Sequence, residues 1–173
     1  MRLLLLLMGL MCAQVQASDG LNRHDLSELA DAAKREQVPI LLIVSQHVCP
    51  FCERLREEII HPMRLSGEYE GKVLMAEIFM DSSKEIVDFA GHEVLPGVLA
   101  DTYRVWVTPT LLFLDHTGRE LHKRMLGVNT IEMYGYYLDE SLAAALQTLQ
   151  RGDRSYTPTE RDIVGDAPGF DDL

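Results

Sequence analysis

The chain has 173 residues, 47% of them hydrophobic and 25% charged. That is enough apolar material for one domain with a real core, and it excludes wholesale disorder. Sixteen basic residues stand against 27 acidic ones, a formal charge of −11. So acidic a surface repels phosphate backbones and excludes nucleic acid as a partner.

The opening residues read as an export signal. Met1-Arg2 precedes an apolar run over 3–11, and the small residue Ala17 closes a short polar stretch before Ser18-Asp19-Gly20. One positive charge, an apolar core and a small residue at the cut site are the parts of a signal peptide over 1–17. The run is too short for a membrane span, which needs about 20 residues, so the chain is expected not to span a membrane once the signal is cut. Leu10-Met11 lacks the small residue that a lipid anchor on Cys12 would need. Cleavage would remove Arg2, leaving 15 basic against 27 acidic residues, or −12. The expected location is the periplasm.

In residues 24–37, Leu26, Leu29, Ala30 and Ala33 recur at helical spacing, and Pro39 ends the helix. Residues 40–44 form a continuous apolar run, the pattern of a strand covered on both faces. His47-Val48-Cys49-Pro50-Phe51-Cys52 follows directly. Pro50 suits the first position of a helix, which places Cys49 at the helix mouth, with Cys52, Leu55 and Ile59 on one face. Residues 73–79 predict a second buried strand, 83–89 a helical stretch, and 99–103 a short helix. Residues 106–114 predict a further strand. The turn Asp115-His116-Thr117-Gly118 returns it as an antiparallel partner over 119–126, and 131–150 form the last helix. From residue 151 to 173 periodicity fades and Gly, Pro, Asp and Arg dominate, so an acidic, flexible tail is expected. The order of elements is that of an α/β fold with a mixed sheet, its motif just past the carboxyl end of a buried strand.

With Cys12 lost in the signal, two cysteines remain, Cys49 and Cys52, with two residues between them. Such a pair closes almost no loop and stabilises little as a structural disulfide; its geometry suits a bond that is made and broken. A helix N-terminus favours a thiolate, so Cys49 is the expected nucleophile and Cys52 the resolving thiol. His47, two residues before Cys49, is a possible modulator of that thiolate when protonated. Two other readings stay open. The cysteines with His47 could hold Cu(I) in a metal-delivery protein, since soft thiolates suit that ion; a zinc site would lack half its ligands. Alternatively the fold could serve as a non-catalytic binding module. Thiol exchange requires no cofactor, and none is expected. Pro109, inside an otherwise apolar strand pattern, is either at an edge or strand start, or marks a cis peptide beside the cysteines.

These pieces together resemble the thioredoxin superfamily, in particular its exported bacterial branch, which includes the thioredoxin of sulfur-oxidation operons. The matching parts are residues 39–44, Cys49-Pro50-Phe51-Cys52, residues 105–114 with Pro109, and 118–127 running into the last helix. They span residues 22–150, within an expected domain over 18–150. The resemblance implies the thioredoxin fold, a mixed central sheet flanked by helices on both faces, and a cis Thr108-Pro109 bond. It also implies a substrate groove touching Pro50, Phe51, Thr108 and Pro109. The activity implied is periplasmic thiol–disulfide exchange, reducing protein disulfides through the CPFC dithiol and recharged by a membrane thiol donor. The chain departs from thioredoxins proper in having Val48 for a tryptophan, Pro-Phe between the cysteines, and Ile43 where a buried aspartate serves the resolving thiol.

Overall fold

The computed structural model describes residues 21–165; the expected signal segment over 1–17 lies outside them. Helix α1 (Leu26–Glu36) begins where the Asp25 carboxylate accepts the N–H groups of Ser27 and Glu28, at 2.9 and 3.0 Å. It buries Leu26, Leu29, Ala30 and Ala33, the stripe its sequence spacing gives. Strand β1 (Ile40–Ser45) is buried at every position.

Four strands form the central sheet in the order β2-β1-β5-β6. Strand β2 (Leu74–Phe79) runs parallel to β1, β5 (Thr110–Leu114) antiparallel to it, and β6 (Glu120–Leu126) antiparallel to β5. Because successive side chains point to opposite faces, β1 feeds two cores. Ile40, Leu42 and Val44 pack with α1 and with Leu99 and Ala100 of α4 (Pro96–Thr102). Leu41 and Ile43 pack with Leu55 of α2 (Pro50–Leu55), Met63 of α3 (His61–Leu65), and Tyr134, Leu138 and Leu142 of α5 (Ile131–Gln150). Helices thus cover both faces, the α/β arrangement expected. Among the described residues no helix is long and apolar enough to cross a membrane.

Four local differences from the sequence reading have physical causes. A π-helical turn over Arg56–Ile60 joins α2 to α3, and the His61 N–H reaches back five residues to the Arg56 carbonyl. The wide turn comes just before Pro62, which has no N–H to donate and whose ring would crowd the preceding turn of a regular helix. The extra residue rotates the face, so Ile60 rather than Ile59 is fully buried. Residues 83–89 are not helical. They hold β3 (Ile86–Val87), paired with β4 (Glu93–Val94) across a turn in which Asp88 Oδ1 accepts the N–H groups of Ala90 and His92. Strand β5 starts only at Thr110, after Pro109. Helix α4 starts earlier than expected, with Pro96 in its first turn.

A fifth difference lies in the segment expected as a flexible tail over 151–173. Its described part, to residue 165, packs on the domain and ends in helix α6 (Glu160–Val164). Thr159 and Asp162 form a capping box, and Ile163 is buried. A single apolar anchor flanked by turn residues carries no periodicity, so composition alone does not reveal it.

Candidate active site

Cys49 is the N-cap of α2, with extended backbone angles, and its Sγ receives the Cys52 N–H at 3.1 Å. The two sulfurs are joined as a disulfide. Cys49 is half-buried, whereas Cys52 is only 2% exposed. Around the half-buried sulfur lie two exposed apolar side chains, Val48 at 91% and Phe51 at 56%. Pro50 occupies the first helical turn, and the helix continues through the π-turn and α3, so its N-terminal field acts on Cys49.

The loop before β5 meets the cysteines from the other side. Thr108 Oγ1 lies 3.6 Å from Cys49 Sγ and donates to Gln46 Oε1 at 2.9 Å. The Thr108–Pro109 peptide bond is cis, and the Pro109 carbonyl accepts the Gly127 N–H at 2.7 Å. Thr108 therefore joins Cys49 in one site, and Pro109 follows it directly, buried at the entry to β5.

His47 is held by Asp81. Its backbone N–H reaches both carboxylate oxygens at 3.1 Å and its Nδ1 stands 2.8 Å from Oδ1, while the ring stacks on Phe79 with centroids 4.6 Å apart. Burial works to raise the Asp81 pKa, but the hydrogen bonds from the His47 backbone and ring outweigh it and hold the carboxyl below the usual aspartate value. The sign follows. A group whose pKa is depressed by folding stabilises the fold above its unfolded value, about 4, and loses that contribution as pH falls through the lower folded value. We expect the His47 backbone amide resonance, whose N–H donates to the Asp81 carboxylate, to report this release in an NMR titration as pH falls below about 4. A loop that stays unchanged through that range would show that Asp81 does not anchor it. His92 is taken up by Asp88 on the β3–β4 hairpin.

Sequence reasoning missed the acids on β2 and just beyond it. Glu77 and Phe79 share one face of the strand, toward the active-site helix, and Asp81 lies in the turn that follows. Glu77 is 4% exposed and pairs in register with Ile43. Its carboxylate accepts Ser45 Oγ–H at 2.6 Å and the Arg56 guanidinium at 2.7 and 3.0 Å. Arg56 also lies over the Phe79 ring, and its N–H bonds the Cys52 carbonyl. The available signal was a charged residue inside the apolar run 73–79, because an acid is almost never buried without a partner. Its partner, 21 residues away on another element, could not be read from spacing. Among the described residues, no three His, Cys, Asp or Glu side chains are grouped to hold a metal ion.

Comparison with known proteins gives the lineage of this arrangement. The structure is similar to that of an oxidoreductase named DsbH, with a TM-score of 0.53 and 20% identity over 80% of this chain and 93% of that one. It is also similar to a thioredoxin from Thermus thermophilus, with a TM-score of 0.54 and 18% identity over 80% of this chain and 99% of that one. At such identities these likenesses establish the fold alone. No curated protein sequence matches the chain. The family model of the thioredoxin-like domain matches residues 26–150, from the start of α1 to the end of α5, with both cysteines and Pro109 inside it. The chain belongs to the thioredoxin-like family.

Proposed function

We propose that the protein is an exported thiol–disulfide oxidoreductase that works in the periplasm and reduces disulfides of other proteins. The observation that carries this reading is the asymmetry of the two sulfurs. Cys49 is half-buried at a helix start, faced by the Cys52 N–H and Thr108 Oγ1, while Cys52 is enclosed. Donors and a helix field at Cys49 favour its thiolate over the thiol.

The reaction then follows with atoms and electrons in balance. The Cys49 thiolate attacks one sulfur of a substrate disulfide; that bond breaks, and the other substrate sulfur leaves as a thiolate and takes up a proton. Cys52 gives up its proton and attacks Cys49 Sγ in the mixed disulfide, releasing the second substrate thiol. The enzyme is left with the Cys49–Cys52 disulfide, having passed on two electrons, and a membrane thiol donor restores the dithiol. Val48, Phe51, Thr108 and Pro109 supply the surface against which the substrate lies, with Pro50 between the sulfurs. His47, fixed by Asp81, adjusts the field near Cys49. Reduction is the favoured direction because bacterial periplasms already hold an oxidising supply, so a further exported dithiol is most useful carrying electrons the other way.

Two measurements on the reduced protein test this. In competitive alkylation read by mass spectrometry, Cys49 is expected to react at least tenfold faster than Cys52, at a pH below that at which a free cysteine (pKa about 8.5) ionises. Equal rates would remove the assigned roles. Equilibration with a glutathione series is expected to give a potential nearer the about −270 mV of a thioredoxin than the about −120 mV of a strong periplasmic oxidant. A value at the oxidising end would reverse the direction.

A further inference from the structure

The described segment after α5 lies beyond the matched domain, yet it is tied to the loop that brings Thr108 to Cys49. The Arg104 guanidinium donates to both oxygens of Glu160 in α6, at 2.7 and 2.9 Å. Two residues on, the Trp106 indole N–H donates to the Ile163 carbonyl at 2.6 Å. On the edge strand β6, Lys123 Nζ lies 3.6 Å from Asp162, and Ile163 is buried. The start of the loop is pinned separately: Arg124 Nη1 donates to the Tyr103 carbonyl, and the Tyr103 hydroxyl to the Gly118 carbonyl, both at 2.7 Å.

Between these pins Arg104 has φ 53. This left-handed turn is the end of α4, where the Arg104 and Val105 N–H groups return to the Asp101 and Ala100 carbonyls at 2.8 and 3.0 Å. The helix end sets the backbone, and Glu160 fixes the Arg104 side chain that leaves it. Trp106 is likewise committed through its N–H while the residue remains 57% exposed. An exposed ion pair contributes little to stability, so the Arg104–Glu160 contact is better explained by what it positions. Thr108 stands two residues beyond Trp106 and is itself in contact with Cys49 Sγ.

We propose that α6 is a built-in brace of the substrate-binding loop. It fixes residues 104–108 so that Trp106 and Thr108 present one preformed edge to an incoming polypeptide. The inference rests on the oxidoreductase reading and adds to it a recognition element specific to this chain. The brace acts on polypeptide disulfides, whose chain lies along the loop. A small disulfide that meets Cys49 alone does not use it.

The test is Ile163→Asp in the full chain, which places a charge where α6 is anchored. Trp106 is the only tryptophan, so its emission reports undocking directly. Kinetics are compared for insulin, a polypeptide disulfide, and for dithiobis(nitrobenzoate), a small one. Undocking is expected to shift the emission to the red and raise KM for insulin about tenfold, in line with misplacement of a positioning element. The kcat and the rate with the small disulfide should stay within about twofold. A red shift with unchanged KM overturns the brace, and so does an equal loss with both disulfides, which would place the damage at the cysteines. If Ile163→Asp does not fold, Glu160→Ala at the exposed end of the ion pair releases Arg104 and leaves Trp106 and Thr108 in place; a rise in KM for insulin alone is again expected, and an unchanged KM is again decisive against the brace. A wild-type protein inert toward both disulfides would instead sink the oxidoreductase reading on which the brace depends, a result distinct from the others.

Discussion

Cys49→Ser is expected to abolish disulfide exchange, and Cys52→Ser to halt it half-way with the substrate still attached. The two outcomes differ because the sulfurs occupy different places on one helix. Serine at position 49 remains a good N-cap, so the helix start survives and only the nucleophile is lost, with a fall of roughly three orders of magnitude or more in turnover. Serine at position 52 leaves the Cys49 thiolate able to attack, but its hydroxyl cannot displace a thiolate from the mixed disulfide. The product is a stable adduct through Cys49, visible as a single added mass when the variant is mixed with a disulfide-bonded peptide. Burying the hydroxyl at this enclosed position costs about 1–3 kcal/mol if it finds no partner, so the adduct is best sought well below the melting temperature. Turnover by Cys52→Ser at the wild-type rate, or an adduct at neither residue, would remove the proposed mechanism.

Much of this site was legible before any coordinates. The apolar run of β1, Pro50 after the first cysteine and the helical spacing beyond it place Cys49 at the mouth of a helix, because each is a local signal. The last helix, 131–150, has the bounds its sequence predicts, since Tyr134, Leu138, Leu142 and Ala145 keep one face over about three turns. What escaped depended on contacts distant in sequence. Asp81 holds His47 across 34 residues and Arg56 holds Glu77 across 21. The helix expected over 83–89 failed for a local reason. The Asp88 side chain and Gly91, at φ 85, favour a tight turn, and that chemistry outweighs a short stretch of helical spacing. The tail failed because one buried residue, Ile163, is too little for a pattern and enough for an anchor.

The departures from thioredoxins proper have a common location. Where those proteins carry a buried carboxylate, this chain has Ile43, and the register partner of Ile43 on β2 is Glu77. The sheet face beneath the active-site helix therefore keeps one buried acid while moving it from β1 to β2. There it is held by two groups already tied to the site: Ser45, four residues before Cys49, and Arg56, one turn after Cys52.

Arg56→Met is accordingly expected to produce the largest loss of stability among charge changes near the site. Glu77 sits on a face otherwise lined by Leu41, Ile43 and Leu55, and Arg56 supplies its counter-charge. The hydrogen bonds that the Arg56 guanidinium donates to Glu77 are the largest cause of its raised pKa. Removing one partner of a buried ion pair costs about 3–5 kcal/mol. Arg56 is 31% exposed, so water reaches part of the pair, and the lower end, about 3 kcal/mol, is expected at neutral pH. An unpaired buried carboxylate is relieved by taking up a proton, so the penalty should shrink as pH falls, the opposite of the trend for a lost apolar contact. Adding Glu77→Gln to Arg56→Met should recover most of the loss, because no charge is then left stranded and the amide oxygen still accepts the buried Ser45 hydroxyl. Urea unfolding of the single and double variants at neutral and acid pH decides the matter. Equal losses at both pH values, with a double variant as damaged as the single one, would mean that the pair matters for its shape rather than its charge. The same series reads out function, since the Arg56 side chain ties the turn after Cys52 to Glu77 on β2. If the anchored turn positions the resolving thiol, release of the second substrate thiol slows in Arg56→Met while the first attack by Cys49 keeps its rate.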